Sequence, residues 1–301
     1  MTRPLIRLLV AIPLVGLLLA GMIAGTWLLL GSPQPARAAT WFTVHRVGSA
    51  AHFAEAPGQP FFFLALGNDG RSDADPGLGD AMHVIGVNPA TGDATILDVP
   101  RDTEAPSGGK INAFHSGGGL PATIAQLNRM MGINISYAVT TNFPGFVAMV
   151  DDIGGVDIEV TEPMFDTDSG TAFAPGPYKM SGESLLAYTR NRKSYPAEGD
   201  RQRTVNQGKA IIAALATLRA QNPGATGALK LTATLARHVR TEGMDLTAMY
   251  ELGRLALGID PARVRNVLVP TGAGGGTNLA VTPAGRVLFG DFADDAILQA
   301  H

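Results

Sequence analysis

The longest uninterrupted apolar stretch of the chain runs from Leu8 through Gly31 and carries no charge. As a helix rising about 1.5 Å per residue it covers about 36 Å, enough for a hydrocarbon core of about 30 Å. The pattern therefore predicts a transmembrane helix, or uncleaved signal anchor, over 8–31. Arg3 and Arg7 precede it, which implies a short cytoplasmic tail (1–7) and an exported main domain. The expected location is the cytoplasmic membrane, single-pass, with the N-terminus inside and the main domain extracytoplasmic. A competing reading is a cleaved signal peptide, since Ala36-Arg37-Ala38 has a small-x-small form.

A tether and lead-in, 32–54, separate this run from a domain expected over 55–301. There the apolar runs shorten. Phe61 to Leu66 is a compact run of the kind a buried central strand shows, and Met82 to Val87 and Thr95 to Val99 are further strands separated by the turn NPATGD. Pro121 opens a helix with Ile124, Leu127 and Met131 on one face, closed by Gly132. Tyr137 to Thr141 reads as a strand, Pro144 to Asp152 as a helix, and Gly155 to Val160 alternates strictly, as a half-exposed strand does. Met164 to Pro177 reads as a long loop. Helices are expected from Ser181, from Asp200 to Ala220, over Ala228 to Val239, over Asp245 to Leu257 and over Pro283 to Phe289, with Val267 to Val269 returning to the sheet. Strands alternating with helices argue for an α/β fold, an α-β-α sandwich with a central mixed sheet, continuous to residue 301.

Composition narrows the chemistry. The chain has 301 residues, a net charge of -3 and no cysteine. Disulfides, thiol nucleophiles and cysteine metal sites are excluded, and no basic footprint points to a nucleic acid. His45, His52, His83, His115, His238 and His301 lack a diagnostic context, and no G-x-S-x-G or H-E-x-x-H motif occurs. GNDGR lacks the remainder of a dinucleotide fingerprint.

Charge recurs instead at the ends of apolar elements. Asp69 and Arg71 follow one strand, Asp80 precedes the next, and Arg101-Asp102 follows the third; Arg190-x-Arg192 and Asp200-x-x-Arg203-x-x-x-Gln207 come later. If the three strands are neighbours, these groups gather on one edge of the sheet. Arginine forks suit phosphate oxygens, and carboxylates suit Mg²⁺ shared with substrate phosphates, so the set suits a pyrophosphate.

These segments resemble the LytR-CpsA-Psr family: FLALGNDGR at 63–71, Asp80 before a strand, ILDVPRDT at 96–103, KINAFHSGG at 110–118, GFVAMVDDIGGVDIEV at 145–160, LLAYTRNR at 185–192 and GDRQRTVNQ at 199–207. The resemblance implies transfer of a glycopolymer from a polyprenyl-pyrophosphate carrier to peptidoglycan or another envelope acceptor through a phosphodiester. It implies that Asp69 and Asp80 organise Mg²⁺, or Mn²⁺ in its place. Arg101, Arg190, Arg192 and Arg203 would clamp the pyrophosphate, with Arg71 beside them and Lys110 and Gln207 orienting it. Arg101, Arg190 and Asp102 are the expected catalytic groups, Asp102 positioning Arg101 or deprotonating the acceptor. Phe143, Phe146, Val147 and Val150 would line a place for the lipid between sheet and helices.

Two positions depart from the family pattern. Arg and Thr are common around the second acidic position, where Leu78-Gly79-Asp80-Ala81 lacks both side chains, and Asn206 stands where an arginine commonly precedes the glutamine. Arg201 or Lys193 could replace the lost cations in space. Hydrolysis of the carrier pyrophosphate, or a scaffold or regulator that binds it without turnover, remain alternative functions of such a site.

Overall fold

The computed structural model describes residues 40–47, 58–70, 77–195, 198–222, 224, 226–227, 233, 237–243 and 246–299. In chain order the strands and helices are β1 (Phe42–Arg46), β2 (Phe61–Asn68), β3 (Gly79–Asn88), β4 (Asp93–Val99), α1 (Ala113–Met131), β5 (Ile135–Thr141), α2 (Phe143–Asp152) and β6 (Val156–Val160). They continue with β7 (Met164–Asp166), β8 (Thr171–Phe173), β9 (Gly176–Met180), α3 (Gly182–Arg190), α4 (Gly199–Gln221) and β10 (Val239–Glu242). The last are α5 (Leu246–Gly258), β11 (Val264–Leu268), β12 (Thr271–Ala273), β13 (Leu279–Val281) and α6 (Pro283–Asp295).

Seven strands form one sheet in the order β10-β1-β5-β2-β3-β4-β11. It is mixed: β2, β3 and β4 run antiparallel to one another, whereas β5 joins β2, and β11 joins β4, in parallel. Alternation of side chains sends Leu64, Leu66, Met82, Val84, Leu97 and Val99 to one face, where they pack on Ile124, Leu127 and Met131 of α1 and on Phe289 and Phe292 of α6. The opposite face carries Phe61, Ile85, Val87, Ala94 and Ile96 and receives Ile211, Ile212 and Leu215 of α4 with Leu252 and Leu255 of α5. The expected α-β-α sandwich with a mixed sheet is thus present.

Local chemistry sets several element boundaries. Asn142, Ser181 and Thr282 each cap a helix by accepting a backbone N–H in its first turn, from Gly145, Ser184 and Gly285 respectively. Gly119, with φ of 68°, breaks α1, so that Pro121 opens its second part. On β3, Gly86 lets α6 settle on the sheet: a Cβ there would stand 2.6 Å from Phe292 Cε2 and 2.7 Å from the Ala296 carbonyl.

Several expectations need correction. The transmembrane helix over 8–31 lies outside the described residues, and among the described residues no helix is long and apolar enough to cross a membrane. The longest, α4, carries Asp200, Arg201, Arg203, Lys209 and Arg219, charges that a hydrocarbon core would penalise. The fold is therefore described without a membrane-spanning element, and the expected single-pass topology, signal anchor and cytoplasmic-membrane location find no support in it. Met164 to Pro177 is not a bare loop: it holds the β7–β8 hairpin and the start of β9, strands too short to show a period. The strand at 156–160 alternates in burial as expected, but pairs with β9 outside the main sheet. The lead-in segment supplies β1, an internal strand between β10 and β5. Most of 228–239 lies outside the described residues, and Val239 begins a strand.

Phe292 is fully buried and meets Phe62 edge-on, with ring centroids 5.1 Å apart. Phe292→Ala should cost about 3–5 kcal/mol of unfolding free energy, measured by chemical denaturation.

Candidate functional site

The antiparallel order of β2, β3 and β4 brings the end of β2, the start of β3 and the end of β4 to one edge of the sheet. Asp69, Asp80 and Arg101 meet there. The ends of α3 and the first turns of α4 approach from the helical layer and add Arg190, Arg192, Asp200, Arg203 and Gln207. These groups line the polar end of one cavity of about 1210 Å³.

Arg101 Nη1 donates to Asp80 Oδ1 at 3.0 Å, joining β3 to the segment after β4. Its Nε lies 3.6 Å from Asp200 and 4.0 Å from Asp102. Burial alone would lower the Arg101 pKa, but Asp80, then Asp200 and Asp102, raise it above its ordinary value. Arg203 is only 5% exposed; its Nη2 donates to the Asp80 carbonyl at 3.4 Å and sits 3.1 Å from Asp200 Oδ1. Burial lowers its pKa, with Asp200 the main opposing influence. Arg190 places its guanidinium over the Phe143 ring, 5.0 Å from the centroid, a cation–π arrangement at the boundary between charged mouth and apolar interior. Gln207 donates from Nε2 to the Thr189 carbonyl, tying α4 to the end of α3.

Arg192 and Lys193 lie on a turn held by one carboxylate. Asp166 Oδ2 accepts the backbone N–H groups of Arg192 at 2.9 Å and Lys193 at 3.2 Å, while Oδ1 accepts that of Asp168 at 2.9 Å. Burial would raise the Asp166 pKa, but these N–H donors lower it to about 2. Lys193 pairs with Asp168 at 2.7 Å.

Below the charged end the wall is mainly apolar. Phe63, Ala65, Ile85 and Ile96 form its sheet side, and Phe146, Met149, Ile211 and Leu215 face them from α2 and α4. Phe143, Phe146 and Val150 line the cavity. Val147 does not, its backbone lying instead against Gly182 of α3. His83 interrupts the wall with a polar group, and its Nδ1 lies 2.6 Å from Asp98 Oδ1 behind it, both residues buried on directly opposed positions of β3 and β4. Burial pushes the Asp98 pKa up, opposed by His83 and by Asn266.

Of the residues singled out in the sequence, Asp69, Asp80, Arg101, Arg190, Arg192, Arg203 and Gln207 share this cavity. Arg71 lies outside the described residues. Lys110 pairs with Asp102 at 3.0 Å, and neither lines the cavity. Arg201, a candidate replacement cation, donates to the Thr271 carbonyl and does not line it either, whereas Lys193 does. Asn206 is buried and accepts a hydrogen bond from Gln202. Sequence reasoning passed over Asp166 and assigned no role to Asp200. The i, i+3 spacing of Asp200 and Arg203 at a helix start could have marked Asp200, whereas nothing in the sequence links Asp166 to Arg192 and Lys193, 26 and 27 residues away.

Two carboxylates are available for a divalent cation. Asp69 Oδ1 accepts the Leu78 N–H at 2.7 Å and Asp80 Oδ1 accepts from Arg101, and among the described residues no hydrogen bond is made to Oδ2 of either. Among the described residues no group of three or more His, Cys, Asp or Glu side chains could hold a metal by itself. The donor set fits Mg²⁺ bound through one or two carboxylates and completed by substrate phosphates and water.

Comparison with known proteins agrees with this architecture. The sequence profile described as the LytR_cpsA_psr family matches residues 43–282. A protein of Bacillus cereus named polyisoprenyl-teichoic acid–peptidoglycan teichoic acid transferase TagU is 37% identical over 160 residues, covering 50% of this chain and 52% of that protein. The chain thus spans about half the length of the curated relatives it matches. Among solved structures, protein gbs0355 of Streptococcus agalactiae aligns with a TM-score of 0.68 at 21% identity, over 84% of this chain and 93% of the other. A LytR-Csp2A-Psr enzyme from Actinomyces oris aligns at 0.65 and 22%, over 85% and 96%. At those identities the structures support the shared fold. With the profile spanning most of its length, this chain belongs to the LytR_cpsA_psr family.

Proposed function

We propose that the domain is a glycopolymer transferase, taking a glycan from a polyprenyl-pyrophosphate carrier and joining it to peptidoglycan or another envelope acceptor through a phosphodiester. The observation that carries this reading is the meeting of Arg101, Arg190, Arg192 and Arg203 with Asp69 and Asp80 at the mouth of an apolar cavity. A ligand matching both parts carries a doubly phosphorylated headgroup on a long hydrocarbon. Family membership and the name of the Bacillus cereus relative support the same substrate class.

In this reading the acceptor hydroxyl oxygen bonds to the sugar-linked phosphorus. The bond from that phosphorus to the bridging oxygen breaks, and polyprenyl monophosphate departs with the electron pair. The hydroxyl proton passes to the leaving phosphate or to water. Arg101, Arg190 and Arg203 hold the phosphate oxygens and offset charge building on the leaving group, the kind of electrostatic stabilisation that contributes most in such reactions. Gln207, anchored to Thr189, orients the headgroup from α4. Asp102 acts on Arg101 from outside the cavity wall, with Lys110 holding its carboxylate. Mg²⁺, or Mn²⁺, shared by Asp69, Asp80 and the phosphates would neutralise part of the pyrophosphate charge. Phe143, Phe146 and Val150 accept the first part of the lipid.

Incubation with lipid-linked glycan, peptidoglycan and Mg²⁺ should yield acceptor-linked glycan and polyprenyl monophosphate, resolved by mass spectrometry. Arg101→Ala should lower turnover about 100-fold or more, the scale of losing one stabilising donor. Release of lipid with water as acceptor would identify a hydrolase, and retained lipid-linked glycan a non-catalytic binder.

Ala65→Trp, which fills the sheet side of the cavity, should abolish binding of long-chain polyprenyl pyrophosphates while leaving binding of inorganic pyrophosphate within about twofold, by calorimetry. Equal loss of both ligands would show that the lipid lies elsewhere.

The turn bearing Arg192 should also respond to acid. Because the folded pKa of Asp166 is depressed from 3.8 to about 2, its stabilisation is present above about 4 and is lost as pH falls through about 2. Amide exchange of Arg192 and Lys193 should therefore lose protection in that window, and Asp166→Asn should abolish this step.

A further inference from the structure

Asp200 is the one acidic side chain of the cavity that faces three guanidiniums at once. Its Oδ1 lies 3.1 Å from Arg203 Nη2, 3.6 Å from Arg101 Nε and 3.9 Å from Arg192 Nη1. Yet both Asp200 oxygens, together with Arg101 Nε and Arg203 Nε, are buried without a hydrogen-bond partner among the described residues. The carboxylate is held by charge rather than by directed bonds, and donors beside it remain uncommitted. A phosphate oxygen placed among the same three arginines would meet the environment this carboxylate now has, with the geometric freedom to use those donors.

We propose that Asp200 is an internal surrogate for the phosphate ligand: it keeps Arg101, Arg192 and Arg203 convergent when no anion is bound, and competes with phosphate oxygens when one arrives. The proposal rests on the pyrophosphate-binding reading above and adds to it how the site limits its own affinity.

Asp200 is poised for this role by position. It occupies the first turn of α4, where helix N–H groups already favour negative charge, so its carboxylate can withdraw from the arginines and remain stabilised. Asp80 approaches from the opposite side. It takes Arg101 Nη1 through its carboxylate and Arg203 Nη2 through its backbone carbonyl. Those two contacts survive the loss of Asp200 and would keep Arg101 and Arg203 near the site, whereas Arg192 takes part in neither and would lose its partner. What changes is the charge. Arg101, Arg192 and Arg203 with Asp80 and Asp200 amount to three positive and two negative charges, net +1; without Asp200 the same group is +2.

The consequence is a trade between binding and release. With Asp200 present, a phosphate must displace a carboxylate, which weakens the ground-state complex; when the lipid monophosphate product leaves, Asp200 refills the position among the arginines. Without it, substrate and product both bind more tightly, and turnover becomes limited by departure of the product.

The test is calorimetric titration of the full chain with inorganic pyrophosphate in Mg²⁺, for the wild type, Asp200→Asn, Asp200→Ser and Asp200→Glu, each checked for a cooperative thermal melt. Glu198→Gln serves as control, since Glu198 removes an equal charge from the same helix end but pairs with Arg201. Asp200→Asn and Asp200→Ser should bind pyrophosphate roughly tenfold more tightly, the scale on which a close like charge opposes an anion. Asp200→Glu and Glu198→Gln should stay near the wild-type value. In the transferase assay, Asp200→Asn should lower KM and kcat together. Unchanged or weaker pyrophosphate binding in a folded Asp200→Asn or Asp200→Ser protein would overturn the proposal and leave Asp200 as a brace only. Failure of the wild type to bind pyrophosphate would instead overturn the reading of the whole site.

Discussion

A guanidinium can be taken out of water only where its charge is met, and that constraint organises the site. Arg203 is nearly inaccessible, and Arg101 is largely enclosed beside it. Either alone would be costly to bury. They are tolerated because Asp80 reaches them from the sheet and Asp200 from α4, so that the ion cluster joins two layers of the sandwich. The interaction is worth little as a stability device, since desolvation consumes most of the Coulombic gain. Its value is positional: cations from separate elements face one small volume before a ligand arrives, and the reorganisation that would otherwise oppose transition-state stabilisation has been met during folding.

The cavity behind this cluster follows from the same packing. Small residues on the sheet, such as Ala65, leave room that larger ones would fill, while α2 and α4 roof the space with Phe146, Met149, Ile211 and Leu215. Charge at one end and hydrocarbon along the rest give the space a direction. Arg190 stacked on Phe143 lies where the two regimes meet, its face satisfied by the ring and its edge available to an anion.

Much of this was legible in the sequence because it is local. Runs such as Phe61 to Leu66 and Thr95 to Val99 identify buried strands, and Asn68-Asp69, Asp80 and Arg101 sit at their ends, so antiparallel neighbours had to bring them together. Ser181 announced α3 through its capping hydroxyl. What the sequence hid depends on long-range register. Nothing near Lys110 indicates that its ammonium is taken by Asp102 outside the cavity wall, and nothing near Val147 shows that its backbone lies against Gly182 of α3. Short strands such as β7 and β8 fall below the length at which a period of two can be recognised, and their Gly and Asp content made them look irregular. Asp200 read as part of a charged helix start, and only the approach of Arg101 from another layer gives it a second meaning.

The hold that Asp166 has on the turn after α3 is of a particular kind: it grips main-chain amides, so the side chains are left to pair elsewhere, Lys193 with Asp168 and Arg192 with Asp200. The backbone there has already surrendered its freedom on folding, so ordering it adds no penalty when a substrate docks. The long cationic arms are engaged through ion pairs, which an arriving anion can replace. In the proposed transferase, a fixed base with arms in replaceable ion pairs would let one phosphate grip accept sugars of differing bulk, and discrimination among glycans would fall to surfaces beyond the headgroup.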